Sequence, residues 1–373
     1  MTRPLRVAMV GLRAPWGTEG GVEHAVGALA PRLAARGCAV TVYCRRRYNA
    51  LGPGIHHGVR LVDVDTLYSK HAEAFVHTAL AAPRAALSAD LVHVHATGPA
   101  LFSWMPRLMG RKVVATVHGM DWRRQKWGRV ARTVLRAGAW SAARWPDETI
   151  VVGQHLADAF DETYGRATTV VPNGVEEIPA QPLDAADVPG LEPGGFLLYV
   201  GRLVPEKGLD RLFEAYAASG IDMPLVITGG ATHAEDYGAG LAAKAPPGVR
   251  LTGPRFGAAR DALLSHARAF VLPSHLEGFP LAPLEAMASG LPVLLSDIPP
   301  HREILADDLD GSAGWVVPDG GWVEALQRVA RTDPGVLAMM GDVGRAHVEA
   351  ERSWDAVADA TVAVYRRVLG QSA

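Results

Sequence analysis

Two glutamates, Glu277 and Glu285, stand in the stretch VLPSHLEGFPLAPLEAMASGLPV, Val271 to Val293. The apolar run ending at Pro273 is too short for a helix and suits a buried parallel strand, whereas Leu281 to Ser289 carries helix formers closed by Gly290 and Pro292. Pro280 and Pro283 fall at the helix start, where a missing N–H costs little. Gly278 lets a backbone approach a ligand closely, and the free N–H groups at the helix start, those of Phe279 and Leu281 on either side of Pro280, favour a bound anion. Glu277 precedes the helix and Glu285 lies about one turn inside it. The two acids should not touch, and each can grip a different end of one polyhydroxylated ligand. The plainer alternative is a pair of solvated surface acids.

Further charges stand at positions where strands give way to loops. GRLVPEKG, Gly201 to Gly208, follows an apolar run and precedes a helical one, so Arg202 and Lys207 can serve one ligand. Arginine bridges phosphate oxygens bidentately and lysine acts as a compact point charge. In TVHGMDW, His118 comes where a strand should end, and ligands of open α/β sheets bind outside the strand carboxyl ends. A lone histidine is more often structural than catalytic, but Gly119, Asp121 and Trp122 beside it favour a pocket there. Near the start, LRAPWGTEGG lacks both the GxGxxG spacing of a dinucleotide site and the GK[ST] ending of a triphosphate loop. It leaves a helix N-terminus at which Gly20 and Gly21 can donate backbone N–H groups to a phosphate. His93 and His95 alternate on a strand and are read as lining or packing residues. Asp63-Val64-Asp65 matches a metal-binding DxD but ends an ordinary strand, and chance explains it better.

The elements that must position these residues alternate along the chain. Strands are expected at Leu5 to Gly11, Ala39 to Cys44, Val59 to Val64, Leu91 to His95, Lys112 to His118 and Thr149 to Val152. A second series covers Phe196 to Val200, Pro224 to Thr228, Val249 to Thr252, Ala269 to Pro273, Pro292 to Leu295 and Gly314 to Val317. Helical stretches between most of them imply two doubly wound parallel sheets of α/β class. The first helix is expected from Gly21 to Arg36, with Pro31 bending it or ending it early. Residues 176–195 hold four prolines and read as a linker between residues 1–175 and 196–353. A last helix spans Trp354 to Leu369 within residues 354–373 and can pack on either half.

The 373 residues suffice for two full cores, and 49% apolar with 20% charged residues describes an ordinary globular protein. A net charge of −2 gives no case for a nucleic-acid binder. Cys38 and Cys44 are expected as buried thiols in a reducing compartment. No stretch reaches membrane-spanning length and no signal peptide is evident, so a cytoplasmic location is expected. Arg123 to Arg144 nevertheless carries +7 against −9 for the rest of the chain. Its arginines, with Trp127, Trp140 and Trp145, suit an anionic membrane surface or a phosphorylated acceptor. The alternative is a surface helix with scattered tryptophans.

EGFPLAPLE, GRLVPEKG, VVPNGV at Val170 to Val175, GGVE at Gly20 to Glu23 and TVHG together resemble the retaining glycosyltransferases of family 4. The resemblance covers nearly the whole chain. It implies the GT-B fold, two facing Rossmann-like domains with an interdomain cleft, with the last helix returning to the first domain. It further implies that Glu277 holds the donor sugar, Glu285 the ribose hydroxyls, Arg202 and Lys207 the diphosphate, and His118 the transferred sugar. Glu23, Asp121 and Trp122 then face the acceptor. The reaction implied moves a hexose from a nucleotide diphosphate sugar, UDP favoured and GDP or dTDP the alternatives, to an acceptor hydroxyl, without cofactor or metal. The N-terminal half looks like bacterial enzymes of polysaccharide biosynthesis, so the acceptor expected is a glycan, a lipid-linked glycan or a small metabolite. The enzyme would then sit peripherally on the inner membrane face. Rival readings are a sugar-nucleotide epimerase of the same fold, a glycoside hydrolase using two carboxylates, and a non-catalytic sugar-nucleotide-binding protein.

Overall fold

The computed structural model describes residues 3–17, 20–69, 72–124, 127–231, 235–306 and 308–371. The chain forms two units, Met1–Gly174 with Trp354–Ala373, and Val175–Ser353.

Unit 1 runs β1 (Leu5–Val10), α1 (Gly21–Ala35), β2 (Cys38–Arg45), β3 (Gly54–His56), β4 (Val59–Val64), α2 (Glu73–Ser88), β5 (Leu91–His95), α3 (Thr97–Ala100), α4 (Trp104–Leu108), β6 (Lys112–Val117), α5 (Arg129–Arg144), β7 (Glu148–Val151), α6 (Gln154–Tyr164) and β8 (Thr169–Val170). The sheet order is β3-β4-β2-β1-β5-β6-β7-β8, parallel except for the short β3. β-branched residues fill the central strands, and the run Val7 to Val10 is fully buried, as a two-faced parallel sheet requires. The helix α1 continues through Pro31 to Ala35, one residue short of the expected end. Cys38 and Cys44 are buried free thiols, and burial pushes the Cys44 thiol up to about 12.

Unit 2 runs β9 (Leu197–Val200), α7 (Leu209–Ser219), β10 (Leu225–Thr228), α8 (Glu235–Lys244), β11 (Val249–Gly253), α9 (Ala258–His266), β12 (Ala269–Leu272), α10 (Leu281–Ala288), β13 (Val293–Ser296), α11 (Pro299–Ile304), β14 (Gly314–Val317), α12 (Trp322–Arg331) and α13 (Pro334–Glu351). Its sheet is wholly parallel, in the order β11-β10-β9-β12-β13-β14. Leu197, Leu198, Phe270, Val271 and Leu294 form its buried centre. The final helix α14 (Trp354–Val368) belongs to unit 1, where Ala358, Val362 and Tyr365 join the core of Val26, Leu33 and Val40. Arg36 anchors it further by ion pairs to Asp355 at 3.0 Å and Asp359 at 2.6 Å.

Residues 176–195, the expected linker, fall within unit 2. They turn once at Leu183–Ala186 and lie against α9, where the backbone of Gln181 exchanges hydrogen bonds with Ser265 and His266. Arg250 and Arg255 donate to the carbonyls of Pro189 and Asp187. Proline richness therefore reflects an extended segment tied down by side chains, with little helix or strand of its own.

Candidate active site

In each sheet the strand order reverses direction once, between β9 and β12 in unit 2 and between β1 and β5 in unit 1. Such switch points open a crevice at the strand carboxyl ends, and the charged motifs stand there.

In unit 2 the loop after β9 is pressed against the loop after β12. Pro205 starts a single tight turn through Lys207, and Gly208 ends it at φ 68°. A Cβ at Gly208 would stand 2.3 Å from the carbonyl oxygen of Pro273, so only glycine fits both the backbone angle and the space. The amide of His275 donates to the carbonyl of Glu206 at 2.9 Å and ties the two loops together. This seating brings the Lys207 Nζ to 2.6 Å from Glu277 Oε1, which also accepts from the Ser274 hydroxyl at 2.6 Å. Burial alone would push the Glu277 carboxyl up. Lys207, His301 and the Ser274 hydroxyl outweigh it and hold the carboxyl below its usual range, ionised. Arg202 opens the same loop, partly exposed, and the buried Tyr199 hydroxyl donates to its carbonyl at 2.9 Å.

Glu285 lies in α10, buried, and does not meet Glu277. Its Oε1 accepts from Arg260 Nη1 at 2.9 Å. Phe279 and Pro280 are buried at the helix start, with Pro280 the residue before the first turn, while Gly278 and Leu281 are partly exposed.

Ser274, Arg260 and His301 were not singled out in the sequence. His301 is fully buried, and its Nδ1 lies 2.8 Å from the carbonyl of Ser296, which identifies Nδ1 as the protonated nitrogen. Burial drives this imidazole down to about 4, against the opposing pull of Glu277, so it stays neutral near pH 7. The Ser296 hydroxyl in turn donates to the carbonyl of Ser274. The chain of contacts from α11 fixes the loop that carries Glu277. A histidine in the helix after a switch-point neighbour strand was the available signal.

In unit 1, Gly11 closes β1 at φ 107°, with a would-be Cβ only 2.3 Å from the carbonyl oxygen of His95. Gly20 and Gly21 begin α1 as expected, while Thr18 and Glu19 of the same loop lie outside the described residues. Glu23 faces back into this loop and accepts from the Arg13 amide at 3.2 Å. His118 follows β6, and its Nε2 lies 3.2 Å from His95 Nδ1. Burial lowers His118 to about 4, partly offset by Asp121, so the imidazole is neutral. His93 and His95 stack with ring centroids 4.1 Å apart, and His93 bonds Tyr365 of α14 at 2.7 Å and Thr116 at 2.6 Å. Asp121 accepts from the Thr97 hydroxyl at 3.0 Å and pairs with Arg124 at 3.1 Å, with Trp122 partly exposed beside it. Asp63 and Asp65 are held by Asn49 and Arg46, both at 2.7 Å.

The basic segment places Arg129, Arg136 and Arg144 in exposed positions of α5, with Arg132 half-buried; Lys126 lies outside the described residues. Trp140 is 51% exposed, whereas Trp127 and Trp145 are half-buried. Strands β4, β5, β6 and β7 follow one another in a single direction across the sheet, so right-handed crossovers put α2, α4 and α5 on one face. That layer exposes Leu87, Leu108 and Val130 at 73%, 70% and 80%. No helix among the described residues is long and apolar enough to cross a membrane.

Two parallel-sheet α/β units with charged loops at their switch points constitute the GT-B architecture, and the comparisons with known proteins agree. Sucrose-phosphate synthase from Thermosynechococcus elongatus is 21% identical and superposes with a TM-score of 0.81 over 99% of this chain and 100% of that one. Anabaena HepE, solved in complex with UDP-glucose, is 18% identical with a TM-score of 0.80 over 97% of this chain and 100% of that one. Residues 187–332 match the family Glycosyl transferases group 1, and residues 19–177 match Glycosyltransferase Family 4. A glycogen synthase of Mycobacterium tuberculosis is 30% identical over 74% of this chain and 68% of its own length. An alpha-maltose-1-phosphate synthase of the same organism is 27% identical over 98% of this chain and all of its own length. The chain belongs to the family 4, group 1 glycosyltransferases and is a GT-B enzyme that uses a sugar donor.

Proposed function

We propose that the chain is a retaining, metal-independent hexosyltransferase that takes its sugar from a nucleotide diphosphate sugar, UDP favoured. The observation that carries this reading is the half-buried Lys207–Glu277 pair at the unit 2 switch point, 2.6 Å long, with Arg202 on the same loop. In this reading Glu277 receives a hydroxyl of the donor sugar and Glu285 the ribose diol. Gly278, Phe279, Pro280 and Leu281 present the α10 start to the diphosphate. Arg202 and Lys207 carry the charge that develops on the leaving diphosphate, the task a divalent cation performs elsewhere. The acceptor hydroxyl attacks on the face the leaving group departs from, and the departing phosphate takes its proton. His118, neutral and held by His95, is assigned to the transferred sugar. Glu23, Asp121 and Trp122 are assigned to the acceptor, and Gly20 and Gly21 to phosphate contacts. The UDP preference is supported by HepE, solved with UDP-glucose.

The acceptor favoured is a bacterial lipid-linked glycan at the cytoplasmic membrane face, because the α2, α4 and α5 layer joins exposed arginines to exposed apolar side chains. A small phosphorylated acceptor is the second reading, supported by relatives such as the D-inositol 3-phosphate glycosyltransferase of Kineococcus radiotolerans, 28% identical over 95% of this chain and 92% of its own length. The test is proton NMR of the glycoside formed from an α-linked UDP-hexose. An α product at first turnover, made in excess chelator, agrees with retention without metal. A β product, or sugar epimerised without transfer, rejects the mechanism.

A further inference from the structure

We propose that Arg260 is a positioning residue whose role is to hold the Glu285 carboxylate in the plane that receives the ribose diol; this rests on the nucleotide-sugar reading of unit 2. Arg260 stands in the first turn of α9 and Glu285 in the middle of α10, two helices that leave different strands. The guanidinium is held before it meets Glu285: Nε and Nη2 both donate to Asp261 Oδ1, at 2.9 and 2.8 Å. Only Nη1 reaches across, to Glu285 Oε1 at 2.9 Å. The three side chains are 22%, 9% and 11% exposed, for Arg260, Asp261 and Glu285 in turn.

A planar guanidinium clamped on one side by Asp261 presents its remaining N–H in a fixed direction, and so fixes the carboxylate oxygen of Glu285 that accepts it. Glu285 Oε2 takes no hydrogen bond among the described residues, so one oxygen is anchored and the other is left to accept. Arg260 lies between two carboxylates, and the cluster keeps a net negative charge. That suits hydroxyl donors and opposes a phosphate, which separates this arginine from Arg202 and Lys207.

The experiment is isothermal titration of UDP and 2′,3′-dideoxy-UDP, or the matching GDP pair where GDP binds tighter, against wild type, Arg260→Ala, Arg260→Lys, Glu285→Ala and the Arg260→Ala/Glu285→Ala double variant. Arg260→Ala is expected to weaken UDP about tenfold to a hundredfold, the range of a hydrogen bond to a charged group. The dideoxy ligand should bind wild type and variant within twofold, and the double variant should match Glu285→Ala. In turnover, donor KM should rise with kcat nearly unchanged. Arg260→Lys, which keeps the charge without the fork, should recover only part of the affinity and serves where the alanine variant does not fold. A misfolded protein would lose both ligands alike. The inference is overturned if Arg260→Ala weakens dideoxy-UDP as much as UDP, or leaves UDP unchanged while Glu285→Ala loses it. If Glu285→Ala and removal of the hydroxyls are both silent, the ribose reading itself falls, and the positioning role with it.

Discussion

Replacing Lys207 by Met tests whether the Lys207–Glu277 pair acts in the reaction or only in the fold. The two side chains are 14% and 11% exposed and 2.6 Å apart, so the substitution strands a largely buried carboxylate whose remaining donor among the described residues is Ser274. Breaking such a pair from one side costs about 3–5 kcal/mol. The Glu277 carboxyl, held low chiefly by Lys207 against burial, should then rise. Urea unfolding would register the loss of stability, and release of nucleoside diphosphate from donor plus acceptor would register the rate. A fall in kcat of about a hundredfold or more is expected for removal of an electrostatic stabiliser. The double variant Lys207→Met/Glu277→Gln separates the two effects. It should recover most of the stability, since no buried charge is left unpaired, and none of the rate. A Lys207→Met enzyme with kcat within threefold of wild type, or a double variant that regains activity, would refute the assignment.

Gly208→Ala should cost about 2–4 kcal/mol, from the left-handed backbone and the approach to Pro273, read as a lower melting temperature together with weaker diphosphate binding. Acid should destabilise the chain through its buried histidines. Burial lowers His77 and His301 to about 4 and His93 to about 3, so the unfolded chain binds more protons below about pH 6.5. Their stabilising contribution is complete above that pH and is lost as pH falls toward 4, and a melting temperature that stays flat from pH 7 to 4.5 contradicts this. On the exposed α5 face, Arg129→Glu/Arg136→Glu should abolish sedimentation with vesicles containing phosphatidylglycerol and leave transfer to a soluble acceptor unchanged. Equal sedimentation of wild type and variant would remove the membrane role.

The strands were legible from short β-branched runs bounded by glycine and proline, most of them to within a residue at each end. The three-residue β3 and two-residue β8 were not, because neither is long enough to show a pattern. Glu277, Lys207 and Glu285 were legible because their motifs are contiguous. Arg260 was not: it meets Glu285 only because sheet order, invisible in local spacing, brings the first turn of α9 beside the middle of α10. His301 was hidden for a similar reason: its partner Ser296 ends β13 and reaches Ser274, in the loop after β12, only because those two strands pair. The packing of segment 176–195 was not legible, because proline excludes regular structure without excluding packing.

The claim that unit 2 holds a nucleoside diphosphate is tested most directly by the melting temperature of the wild-type chain and of Lys207→Met and Glu285→Ala with UDP, GDP and dTDP. A ligand at a hundred times its dissociation constant stabilises by about 2.7 kcal/mol, a shift of several degrees. One diphosphate should raise the wild-type transition by that amount and leave both variants nearly unmoved. If none of the three shifts the wild type, or the variants respond equally, the site has been assigned wrongly.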